Sequence, residues 1–62
     1  MQPDELKALR KHAGLNQQEL ADKIGLRRET IGAMERDQAP IEIRTALAVR
    51  WVAANLDWVE KD

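Results

Sequence analysis

Arg27, Arg28 and Glu29 stand consecutively near the middle of the chain, and Ala33 follows one helical turn beyond Glu29. An arginine can donate two parallel hydrogen bonds to guanine O6 and N7. A glutamate can accept from cytosine N4, and a methyl side chain can meet the thymine methyl. Reading base-pair edges needs residues of these types within reach of one groove. On an exposed helix the same run is an ordinary solvated face, so the element that carries it decides between the two. Other chemistries are poorly provided. His12 is the one histidine, Cys, Ser and Tyr are absent, and Thr30 and Thr45 are the only hydroxyl nucleophiles, with no paired base in the pattern. Neither catalysis, a metal site nor a disulfide is expected. No Gly-rich phosphate loop appears, and no cofactor or small-molecule ligand is expected.

The elements that must position the Arg-Arg-Glu run are legible around it. Asn16 suits an N-cap, Glu19 three residues later completes a capping box, and Leu15 and Leu20 can close a hydrophobic staple. Leu20, Ala21 and Ile24 then form a short apolar face at helical spacing, and Gly25 fits a left-handed C′ position that ends the helix. After a turn of two or three residues, Ile31 and Met34 mark the inner face of a second short helix. Its outer face is expected to show Arg28, Glu29, Gly32 and Ala33. Two short helices across a tight glycine turn make a helix-turn-helix, whose second helix enters the major groove.

Gln17, Leu20-Ala21, Ile24-Gly25, Leu26, Ile31, Glu35 and the later Pro40 resemble the Cro/lambda-repressor type of helix-turn-helix domain. The resemblance covers about residues 4 to 58. It implies an all-α bundle of four to five short helices and a groove-reading helix carrying Arg28, Glu29, Ala33 and Arg27. It also implies backbone contacts from Gln17, together with a buried ion pair between Arg10 and Glu35 that holds the first helix to the third. Arg27 stands where the family usually has a Ser or Thr N-cap, which removes the cap and suggests a phosphate or groove-edge contact instead. Asp37 stands where the family usually has Gly; Asp tolerates left-handed geometry better than most residues. Arg36, Gln38 and, more weakly, Arg44 are further candidates for the DNA backbone, which positions a domain without reading sequence.

The remaining chain is read as one domain over 1–62, with the helix-turn-helix at about 17–36. Pro3 suits a first helical position, Asp4 and Glu5 a first turn, and Leu6, Leu9 and Ala13 an apolar stripe ending at Gly14. The first helix is placed at about 3–13, the second at 17–24 and the third at 28–36. From Ile41 the sequence reads helical to near Lys61. Leu47, Trp51, Ala54 and Trp58 fall on one side of that helix, and Val49, Val52, Leu56 and Val59 on nearly the opposite side. A small domain covers only one such face. The favoured reading is a break near Asn55 with dimerisation through Leu56, Trp58 and Val59, the alternative being a wholly intramolecular role for both Trp residues. The formal charge of −1 is low for a DNA binder. Acidic residues gather at the ends, while Arg27, Arg28, Arg36 and Arg44 lie in the middle, so modest non-specific affinity is expected. No run is long enough to span a membrane, and no signal-peptide pattern opens the chain. The expectation is a cytoplasmic homodimeric repressor on a palindromic operator, of the phage Cro-like, antitoxin or anti-CRISPR-associated kind. The competing expectation is a protein-interaction module, such as an antitoxin or adaptor, using the same fold to bind a protein partner.

Overall fold

Local signals fix where each helix starts and stops. The computed structural model describes residues 1–57 of the 62-residue chain. It contains α1 (Pro3–His12), α2 (Gln17–Ile24), α3 (Arg28–Glu35) and α4 (Ile43–Ala54). Pro3 opens α1, and Asp4 and Glu5 lie in its first turn, where carboxylates complement the helix dipole. At the head of α2 the capping box is complete. Glu19 N–H donates to Asn16 Oδ1 at 2.7 Å, and Asn16 N–H donates to Glu19 Oε1 at 2.9 Å. Gly25 ends α2 at φ 74°, a left-handed conformation that costs glycine nothing and most side chains 1–2 kcal/mol or so. Its neighbour Leu26 donates back to the Ala21 carbonyl at 2.9 Å.

After α3 the same device recurs without glycine. Asp37 is the one non-glycine residue with positive φ among the described residues, at 59°. Asp37 N–H donates to the Met34 carbonyl at 3.2 Å, and Gln38 N–H donates to that of Ala33 at 2.8 Å. These are the two bonds of a Schellman ending. The turn therefore keeps its geometry with aspartate in the glycine position.

The four helices enclose one core. Leu6 from α1, Leu20 and Ala21 from α2, Ile31 and Met34 from α3, and Val49 and Val52 from α4 pack together in it. Leu6 and Ile31 are fully buried, so α1 and α3 are each pinned by a side chain with no contact to water. The ends of the first three helices fall within a residue of the sequence reading. The long helix expected to near Lys61 stops at Ala54, and Asn55 takes the break. There its side-chain amide donates to the Trp51 carbonyl at 2.7 Å. The two faces of the last helix resolve accordingly: Val49 and Val52 turn inward, whereas Leu47 and Trp51 remain 59% and 47% exposed. Leu56 does not follow the valines inward. The chain has left the helix by then, and Leu56 is 52% exposed. Trp58 and Val59, the other residues expected at a dimer contact, lie outside the described residues.

Candidate nucleic-acid interface

α3 is held from beneath and open above. Ile31 and Met34 sink into the core, while Arg27, Arg28 and Glu29 at its start are exposed and Ala33 is half-buried. Arg27 occupies the N-cap with extended backbone but makes no side-chain cap, leaving its guanidinium for other partners. Thr30, half-buried on the same turn, adds a hydroxyl to this end of the helix. Sequence reasoning weighed it only as a nucleophile, although its place one residue after Glu29 already put it beside the reading run. Among them these side chains offer guanidinium donors, a carboxylate acceptor, a hydroxyl and a methyl, the groups that match base edges and phosphates.

Besides its core residues, α3 is tied by a polar network running from α1 to the head of α2. Arg10 Nε donates to Glu35 Oε2 at 2.6 Å and Nη2 to Glu35 Oε1 at 3.0 Å, a bidentate pair. The remaining terminal nitrogen of Arg10 donates to the Leu15 carbonyl at 2.9 Å. Gln17 Nε2, the first side chain of α2, donates to Glu35 Oε1 at 3.2 Å. The side chains of Arg10 and Glu35 keep only 10% and 5% of their accessible surface. Burial by itself raises the Glu35 carboxyl. The hydrogen bonds from Arg10 and Gln17, with the charges of Arg10 and Lys7, outweigh it and hold the group below its ordinary range. The hydrogen bond to Glu35 raises the Arg10 guanidinium, against a smaller opposing effect of burial.

Not every residue expected at the interface is brought together. Arg36 and Gln38 stand side by side after α3, with Arg36 Nε donating to Gln38 Oε1 at 3.2 Å. Gln17 lies near Arg36 over Gly32, but part of its amide is already committed to Glu35. Arg44 lies elsewhere: it lines a shallow depression with Ile24, Leu26 and Glu42, at the far end of α2 from Gln17. The expectation for Gly32 needs correcting. It was placed on the outer face of α3, but it is buried, because the side chains of Arg36 and Gln17 lie over it.

A core of four helices, with a glycine turn between α2 and an exposed α3, defines a helix-turn-helix domain. The Helix-turn-helix family model matches residues 6–49, and the chain belongs to this family, in its Cro/lambda-repressor type. It is thereby a DNA-binding transcriptional regulator that takes double-stranded DNA as its partner, and its family is one of DNA binders rather than typically of enzymes. No curated protein and no solved structure matches it.

Proposed function

We propose that the protein is a cytoplasmic, sequence-specific repressor that binds a palindromic operator as a homodimer, one α3 entering the major groove in each half-site. The observation that carries this reading is the two-sidedness of α3. Ile31 and Met34 retain 0% and 5% of their surface, whereas Arg27, Arg28 and Glu29 project into solvent from the same short rod. On this reading Arg28 and Glu29 read base edges, Ala33 meets a thymine methyl, and Arg27 works at the groove edge or on a phosphate. Gln17, Arg36 and Gln38 hold the sugar-phosphate backbone, while Arg44, on the Leu26 side of the turn, stands apart from that group. Two recognition helices about 34 Å apart would match one turn of duplex. A dimer seated in that way represses by occluding a promoter.

Selection of binding sites from random duplex DNA, at stated salt, tests the reading. Arg28→Ala should lose about 1–3 kcal/mol on the selected site and blur discrimination at one base pair. If the variant keeps the wild-type preference at every position, Arg28 does not read the groove. The competing reading, a module that binds another protein, draws on the exposed apolar side chains of α4, where Ile43 is 79% and Leu47 59% exposed. Selection that enriches no sequence would favour it.

A further inference from the structure

Gly32 lies within α3, where glycine weakens a helix relative to alanine. Its backbone gives no reason for glycine, since the positive-φ glycines are Gly14 and Gly25. Space gives one. A Cβ at position 32 would come 3.0 Å from Arg36 Nη1, 3.8 Å from Arg36 Cζ and 3.6 Å from Gln17 Oε1. Helical side chains lean toward the preceding turn, and Arg36 follows Gly32 by one turn, so its guanidinium lies back over the bare glycine. Gln38 takes the Arg36 Nε donor at 3.2 Å. Among the described residues the terminal nitrogens of Arg36 have no protein acceptor. The Arg10 guanidinium, by contrast, is engaged through three nitrogens.

We propose that Gly32 is a positioning residue for DNA binding. By leaving the space that Arg36 occupies, it sets the guanidinium beside Gln17, where the Arg36 terminal nitrogens and the one Gln17 amide hydrogen not given to Glu35 donate to one backbone phosphate. The proposal rests on the reading of Arg36 as a backbone contact. Arg36 is the first residue past α3 and Gln17 the first of α2, so their shared site joins the ends of two elements that the Arg10–Glu35–Gln17 network already fixes to one another. A methyl group at position 32 forces Arg36 to yield by a few tenths of an ångström. Because Arg36 Nη1 is the far end of a flexible side chain, the fold survives and the phosphate contact suffers.

The test compares wild type, Gly32→Ala, Arg36→Ala and the double variant. It uses both the selected duplex and a duplex of unrelated sequence, across a salt series. Gly32→Ala should raise Tm, by about 4–8 °C if the full helix-propensity gain is realised. It should also weaken binding to both duplexes by a similar factor, about three- to tenfold, because a phosphate contact is blind to sequence. Arg36→Ala should lower the salt slope by about one, and adding Gly32→Ala to it should cost nothing more. Wild-type affinity in Gly32→Ala overturns the proposal. So does an equal loss from Gly32→Ala with and without Arg36, which would mean that the glycine meets DNA directly. Wild-type binding by Arg36→Ala alone would instead sink the underlying reading of Arg36, a failure visible in a different variant.

Discussion

Replacing Arg10 by Met should do more than remove a salt bridge; it should reverse how stability depends on pH near the carboxylate range. In the native protein the Glu35 side chain is 5% exposed and takes hydrogen bonds at 2.6 and 3.0 Å from Arg10 and one at 3.2 Å from Gln17. Met keeps the length of the apolar stem but leaves Glu35 with Gln17 alone, and leaves the Leu15 carbonyl without its donor at 2.9 Å. Breaking a buried pair from one side costs about 3–5 kcal/mol. A chain of 62 residues has about 3–9 kcal/mol in all, at about 0.05–0.15 kcal/mol per residue. Arg10→Met should therefore consume about a third or more of the stability at neutral pH. The pH profile carries the sharper signature. In wild type the Glu35 carboxyl is held below its unfolded value of 4.5, so its contribution is present above that pH and is lost as pH falls through the lower folded value. Without Arg10, burial dominates and lifts the carboxyl above 4.5. The variant then folds with proton uptake and gains relative stability on acidification, where wild type loses it. Urea unfolding followed by circular dichroism between pH 3 and 7 or so reads both effects. A loss under about 1 kcal/mol, or parallel pH profiles for the two proteins, would refute the assignment of Glu35 as a buried, arginine-dependent carboxylate. Arg10→Met with Glu35→Leu should recover much of the loss, because an apolar pair of similar volume often replaces a buried ion pair without cost.

Asn16→Ala removes one half of the capping box and should lower stability by about 1 kcal/mol, or Tm by about 4–8 °C; an unchanged melting curve would show that α2 does not depend on its cap. Leu56→Glu should weaken self-association about tenfold or more, since burying a leucine contributes about 1.5–3 kcal/mol. Sedimentation equilibrium showing the wild-type constant would remove Leu56 from the proposed interface, and a wild type that stays monomeric would remove the homodimer.

The parts of this fold that were legible in the sequence are those governed by local geometry. Asn16 with Glu19 forecast a capping box because both partners sit within one turn, and Gly25 forecast the left-handed exit because few other residues adopt it cheaply. The break at Asn55 is expected because two opposed apolar sets cannot both face one small core; the helix does end there, but Leu47 and Trp51 lie before the break and stay exposed. What escaped was set by side-chain reach. Gly32 falls beside Arg28 and Glu29 on a helical wheel and reads as surface. Only the folding back of Arg36, and the arrival of Gln17 from α2, covers it. Arg44 read as one more cation near the groove, yet the path of α4 carries it to the Leu26 side of the turn. Ile43 was missed as an exposed apolar residue, although its spacing of four from Leu47 and eight from Trp51 was visible. A wheel begun at Leu47 gave no reason to extend the stripe backward.

The charge of −1 bears on why a dimer suits this domain. Counterion release makes non-specific affinity rise with the number of phosphates neutralised. Here the exposed cations Arg27, Arg28, Arg36 and Arg44 stand among Glu29, Asp37 and Glu42, all exposed as well. One copy of the chain should thus gather little net attraction to DNA, which on the proposed reading limits its capture by non-specific sequence and leaves a single half-site weakly held. Joining two protomers makes the second contact intramolecular and multiplies affinity on a site with two correctly spaced halves, with no added contact to any phosphate. In the proposed dimer Leu56, exposed beyond the end of α4, lies at such a junction, while Ile43 and Leu47 leave apolar surface on α4 open to either a second copy or another protein. On the proposed reading, specificity comes from pairing two weak, nearly neutral readers rather than from one strongly basic one. Lengthening the spacer between half-sites by half a helical turn should then cost far more affinity than any single phosphate contact.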